Sequence, residues 1–281
     1  MLSAFIAAVC SAGIDTTNKF LLAKLKLPLK YYLPYIFAFL VVISGLVLFF
    51  VKSPVGVGAF SFHYIFLFLV MIAAAVSWNI LISESLQTEP LHEYELIILM
   101  TPLITIILAT VFLPAERNIH IFLAGIVSSL ALIAAKMKSH HLILSKSAKR
   151  TLLAVFFIAL ESVLLRQLLV VFTPPILYFI RVIVIAIVFF WMYRPDANVL
   201  KHRAATVGLI IAALFGAGLM ILKYYAFIKI GVSKTTIILL LGPVLTYFSS
   251  YFYFRERKDF KKDLIAAGVI IICIVYSLAV K

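Results

Sequence analysis

Eleven acidic residues stand in this chain of 281, and two of them, Asp15 and Glu161, fall inside long apolar runs. An ionisable group in the middle of a lipid-embedded helix costs a few kcal/mol, roughly 2.5–3.5, so it needs a partner, a water-filled path or an interface within reach. Asp15 has Lys19 four residues on, on the same helical face, where an i,i+4 ion pair is the plain reading. The alternative makes Asp15 a proton or substrate group, and Asn18 beside it joins the pathway candidates. Glu161 stands near the middle of its run with Arg166 five residues later, off its face in an ideal helix. Trp78 and Asn79 share another apolar run that ends near Glu84, and such groups either bond between helices or line a cavity.

Basic groups raise the same choice. Lys223, followed by Tyr224 and Tyr225, either snorkels to an interface among belt aromatics or guards one mouth of a cavity with those rings. Glu84, Glu89, Glu93 and Glu95 crowd one corner. The repeat-related positions for Glu93 and Glu95 are Lys234 and Thr236, so the two corners carry opposite charge. Pro102 and Pro243 each deprive a carbonyl one turn earlier, near Ile98 or Leu239, of its hydrogen bond. They are packing kinks or hinges.

Several chemistries drop out. His140, His141 and His202 lie in basic loops without Cys or carboxylate partners at ligand spacing, so no metal site is expected. No GxxxxGK[ST] loop and no HExxH occurs, and no cofactor is expected. Cys10 and Cys273 read as buried small hydrophobes, without a disulfide framework. The net charge of +14 comes from lysines and arginines between apolar runs, where anionic lipid head groups meet them, and not from a nucleic-acid surface.

The positioning elements follow from composition. At 65% hydrophobic and a mean hydropathy of +1.17, the chain is too apolar for a soluble globule. Continuous apolar runs select helices over a barrel, so the expected fold is all-α and membrane-embedded. Ten transmembrane spans fit: 2–22, 31–51, 63–86, 91–113, 119–136, 151–172, 175–193, 204–228, 231–254 and 263–280. The opening MLSAFIAAVCSAG lacks a basic n-region and runs on to Phe20 and Leu22, so it reads as the first span and not as a signal peptide.

The order of features repeats. The stretch AFIKIGVSKTTIILLLGPVLTYFSSYFYFRERKDFKKDLIAAGVIIICIVY at 226–276 has a weaker copy at 85–134, each with one proline and a Glu-Arg corner, Glu116-Arg117 and Glu256-Arg257. Pro102 and Pro243 differ by 141 positions. Asp15 pairs with Glu161, and Pro28 with Pro174, at an offset of 146. Two five-helix units, 1–143 and 144–281, are therefore expected. An odd number of spans per unit inverts the second copy, which places a substrate site between the units near the midplane. Ala124, Ala131, Ala266 and Cys273 recur every seven positions on one face of spans 5 and 10 and read as close packing.

The run AFIKIGVSKTTIILLLGPVLTYFSSYFYFRERKDF resembles the signature of the drug/metabolite transporter superfamily, EamA type. The resemblance covers the whole chain as five plus five helices. It implies a carrier for amino acids, nucleosides, sugars or drugs, usually outward, through a cavity lined by helices 1, 3, 4, 6, 8 and 9. It also implies an arginine in the second helix of each half after a proline. Arg181 after Pro174-Pro175 fits, while Tyr35 stands at the matching place in the first half.

The expected function is thus secondary transport of a small metabolite by alternating access, with export as the direction and an intramembrane enzyme or a receptor as the alternatives. The expected partners are the substrate, a coupling proton and membrane lipid, in a monomer or homodimer of the plasma membrane. Orientation divides the criteria. Seventeen lysines and arginines flank the odd-numbered loops against five on the other side, which puts the odd loops in the cytoplasm. The resemblance implies the reverse.

Overall fold

The computed structural model describes residues 1–51, 53–56, 58–88, 97–136, 146–197, 200, 202–245 and 260–280. Within them run ten α-helices: α1 (Leu2–Lys19), α2 (Leu29–Phe50), α3 (Phe62–Thr88), α4 (Thr101–Phe112), α5 (Ile119–Lys136), α6 (Lys146–Leu168), α7 (Pro174–Tyr193), α8 (Arg203–Ile230), α9 (Val232–Leu239) and α10 (Phe260–Ala279). Five are long and apolar enough to cross a bilayer: α2, α3, α6, α7 and α8. The apolar portions of α4, α5, α9 and α10 are shorter.

Local sequence sets the helix ends. Pro28 precedes α2 in extended conformation, and Pro174-Pro175 open α7, where a missing N–H costs nothing and φ is already helical. α1 continues into a π-helical turn, Phe20–Lys24, so the first apolar run is helical two residues beyond its expected end. Expected spans 4 and 9 are interrupted rather than simply kinked. Residues 99–100 form a turn, α4 starts at Thr101, and Pro102 lies in its first turn. Leu240 is likewise a turn after α9, and Pro243 sits inside the short helical segment 241–245 that follows. A proline is tolerated best where no earlier carbonyl awaits its N–H, so the break falls one turn ahead of it.

Packing runs mostly between the two halves of the chain. The principal pairs are α3 with α6, α1 with α8, α2 with α7, α5 with α10, α4 with α6, α2 with α8, α4 with α9 and α1 with α9. Exchanging each helix for the one five places along returns this set except for α2 with α8, whose counterpart, α3 with α7, is a much smaller contact. α1 packs against α8 through small residues. Gly13 faces the Phe215 ring, Gly216 faces Ile14, and Gly218 faces Cys10. These glycines let the two backbones approach closely, so dispersion replaces the absent hydrophobic drive. Ala124, Ala266 and Cys273 are buried where α5 meets α10.

Connections tie one end of the bundle. Gly56 N–H donates to the Val171 carbonyl at 2.7 Å, and Val55 and Phe172 form an antiparallel bridge. At the same end Glu116 accepts the backbone N–H groups of Val232 (2.7 Å) and Ser233 (3.1 Å), capping α9 where its free N–H groups carry partial positive charge. At the opposite end Tyr31 donates to the Asp196 carboxylate at 3.1 Å and Tyr35 to the Asp196 carbonyl at 3.0 Å. There Thr151 donates to Ser85.

Candidate functional site

Glu161 lies in α6 with only 3% of its surface exposed, and Arg181 in α7 with 2%. The carboxylate uses both oxygens on different helices. Oε1 accepts from Arg181 Nε at 2.6 Å, and Oε2 accepts from Trp78 Nε1 of α3 at 2.5 Å. Arg181 stands two turns into α7, so Pro174 and Pro175 set where along the helix it projects. Burying two charges is expensive, and their attraction offsets this only with good geometry and further hydrogen bonds. Trp78 supplies one of those bonds from the first half of the chain.

A wall of aromatic and basic groups stands beside the pair. The Tyr178 and Tyr224 rings meet edge to face, 6.0 Å between centroids. Lys223 Nζ donates to Ser162 Oγ at 3.2 Å and lies 5.2 Å from the centroid of the Phe227 ring. Two buried donors, Arg181 Nη2 and the Tyr224 hydroxyl, have no hydrogen-bond partner among the described residues. A buried donor left unmade costs about 1–3 kcal/mol.

The other sequence candidates are dispersed. Asp15 is exposed. It lies one turn beyond Ser11, which packs against Gly242, so it sits on the α9-facing side of α1, close enough to Tyr32 to act on it electrostatically. It does not share the Glu161 cluster described above, although the sequence offset sets the two at matching positions. The Lys19 side chain lies outside the described residues. Asn18 accepts a hydrogen bond from Tyr32 at 2.8 Å, and buried Asn79 donates to the Ala75 carbonyl within its own helix. Glu84 is 3.8 Å from Arg150, both substantially exposed, at the bundle end where α3 finishes and α6 begins.

Arg166 points away from the Glu161 chemistry. It lines a cleft at the end of the bundle with Glu116, Gln167 and Val170. Lys234 donates to the Val280 carbonyl at 2.8 Å and so ties α9 to the end of α10. Glu89, Glu93, Glu95, Glu256 and Arg257 lie outside the described residues. Arg181 enters the sequence reading only through resemblance, although a lone arginine in an apolar run is itself a signal. Tyr178 and Ser162 were missed because single tyrosines and serines in apolar helices read as packing. The role of Glu116 was missed as well; its signal was a glycine, Gly231, directly before a helix of the other half.

Among the described residues no group of three or more His, Cys, Asp or Glu could hold a metal ion.

A bundle of long apolar helices that buries an ion pair at its centre is an integral, multi-pass membrane protein. Residues 149–279 match the EamA-like transporter family, which belongs to the drug/metabolite transporter superfamily. A solved structure, described only as the crystal structure of a protein, superposes with a TM-score of 0.77 at 12% identity, over 98% of this chain and 95% of that one. At that identity the likeness is one of fold. No curated protein matches the sequence.

Proposed function

We propose that the chain is a secondary-active transporter that moves a small metabolite by alternating access, in the outward direction across the plasma membrane. The two five-helix units, 1–143 and 144–281, would be related by inversion, and the exchange symmetry of the helix pairs supports that relation. The observation that carries the reading is the Glu161–Arg181 pair, buried between α6 and α7 and held by Trp78 from the other unit. Any movement of one unit against the other must work on that three-way contact.

Charges sequestered at such depth accompany function more often than stability, since a well-packed apolar pair serves a fold as well or better. Glu161 and Arg181 would form the core of the substrate site, with Trp78, Lys223 and Tyr224 around it. Asp15, accessible on α1, is the candidate for a coupling proton. The breaks before Pro102 and Pro243 would be the hinges, because each frees carbonyls that only protein, water or ligand can satisfy.

Purified protein in proteoliposomes, assayed for flux of amino acids, nucleosides, sugars and cationic drugs with and without an imposed proton gradient, tests the proposal. Saturable uptake of at least one class, lost in Glu161→Gln and made insensitive to the gradient in Asp15→Asn, is the expected result. Absence of flux for every class, or undiminished flux in Glu161→Gln, overturns it.

A further inference from the structure

We propose that Arg181 Nη2 and the Tyr224 hydroxyl form a recognition point for a carboxylate, so that the transported molecule is a small organic acid or carries a carboxylate group. This rests on the transporter reading above and specifies the ligand of that same site. A guanidinium meets a carboxylate side-on by offering Nε and Nη2 together to its two oxygens. Glu161 takes only half of that offer. Its Oε1 lies on Nε, while Oε2 is turned to Trp78 Nε1. Trp78 therefore holds Glu161 in single contact and leaves Nη2, fully buried, without an acceptor.

The Tyr224 hydroxyl is another buried group in this state. Tyr178 stands about one turn before Arg181 on α7 and its ring meets that of Tyr224 edge to face at 6.0 Å, so the two orphaned groups belong to one neighbourhood. Charge points the same way. Glu161 and Arg181 cancel, and Lys223, bonded to the neutral Ser162 hydroxyl, is the remaining cation of the cluster. A ligand that brings one negative charge and two acceptor lone pairs would leave the cluster neutral and both donors bonded. A cationic or donor-rich ligand would add to the positive charge and leave Nη2 without an acceptor.

The test is equilibrium binding to purified full-length protein, by calorimetry and thermal shift, with acid and amide partners of one shape: benzoate against benzamide, L-phenylalanine against L-phenylalaninamide, succinate against succinamide. Inorganic phosphate serves as the anion without a carbon skeleton. At least one acid is expected to bind about tenfold or more tightly than its amide, the factor that one charge-assisted hydrogen bond supplies. Tyr224→Phe keeps the ring and removes only the hydroxyl, and should erase most of that preference. Trp78→Phe should reduce it too, because Oε2 is then free to turn to Nη2.

Equal binding of acid and amide, preference for the amide, binding of phosphate alone, or no binding across the set overturns the carboxylate assignment. Flux of whatever binds is measured separately in proteoliposomes. An acid that binds with the stated preference but does not cross leaves the recognition point standing and overturns the transporter reading.

Discussion

Glu116 and Gly231 lie against each other so closely that a side chain on the glycine would collide with the carboxylate. Gly231 also has φ +85 and ψ 171, an extended positive-φ conformation that is essentially glycine's alone and costs another residue about 1–3 kcal/mol. The carboxylate reaches past the glycine to cap the first N–H groups of α9. A corner of the first half thereby fixes the start of a helix in the second, at the same bundle end where Val55 and Phe172 pair.

Gly231→Ala should therefore destabilise the protein by more than its backbone cost, since the methyl group displaces Glu116 as well. Glu116→Gln keeps one acceptor but loses the charge facing the helix terminus, a loss of about 0.3–1 kcal/mol and up to about 2 where partly buried. Thermal unfolding in detergent should rank the wild type above Glu116→Gln and Glu116→Gln above Gly231→Ala. A stability for Gly231→Ala equal to wild type would contradict the capping role.

The buried pair makes a sharper demand. Removing one partner strands the other charge, which costs about 3–5 kcal/mol, while replacing both by apolar groups is often neutral. Glu161→Leu and Arg181→Met should each unfold at lower temperature than the double variant carrying both changes. All three should lose flux. If the double variant is no more stable than the singles, the pair is not the isolated buried unit that its 2.6 Å contact and burial imply.

These contacts show what the sequence could and could not disclose. Helices were readable because apolar runs near bilayer length leave few alternatives, and α5, α7 and α8 lie where the runs put them, while α6, Lys146–Leu168, starts and ends earlier than the expected 151–172. Glu161 stood out because a carboxylate in such a run is expensive. Its partner was harder to find, because the choice among Arg166, Arg181 and Lys223 depends on how α6, α7 and α8 are rotated about their axes. Helical spacing set Arg166 off the Glu161 face, and the fold carries it to the cleft beside Glu116. Repeat matching sets Asp15 beside Glu161 in register, yet register says nothing of neighbours. Tyr35 stands in the first half at the place that Arg181 holds in the second.

Tyr224→Phe separates stability from function. Its hydroxyl is buried without a partner, so removing it relieves an unmade bond and should leave stability unchanged or raise it by about 1 kcal/mol. Transport should nevertheless fall about tenfold if the hydroxyl meets the substrate, because the lost bond belongs to the loaded state. Unfolding temperature and substrate flux measured on one preparation check this. A variant that loses stability and flux together would mean that the hydroxyl serves the fold.

The tied end of the bundle offers the most direct look at movement. Residues paired across an antiparallel bridge have Cα atoms about 4.5–5.5 Å apart, inside the reach of a disulfide, and Val55 and Phe172 form such a bridge. Cys10 and Cys273 are unpaired and pack as small apolar groups, so alanine at both should give a working background. In that background Val55→Cys with Phe172→Cys should cross-link under mild oxidation. If alternating access requires this end to open, the oxidised protein stops transporting and a reducing agent restores the flux. Each single cysteine variant should transport normally under both conditions, which separates the cross-link from oxidation damage. Because the bridge joins the segment after α2 to the segment before α7, full flux through completely cross-linked protein would mean that these segments stay together throughout the cycle. Access at this end would then have to open elsewhere, with the Glu116 cap on α9 as one tie to release.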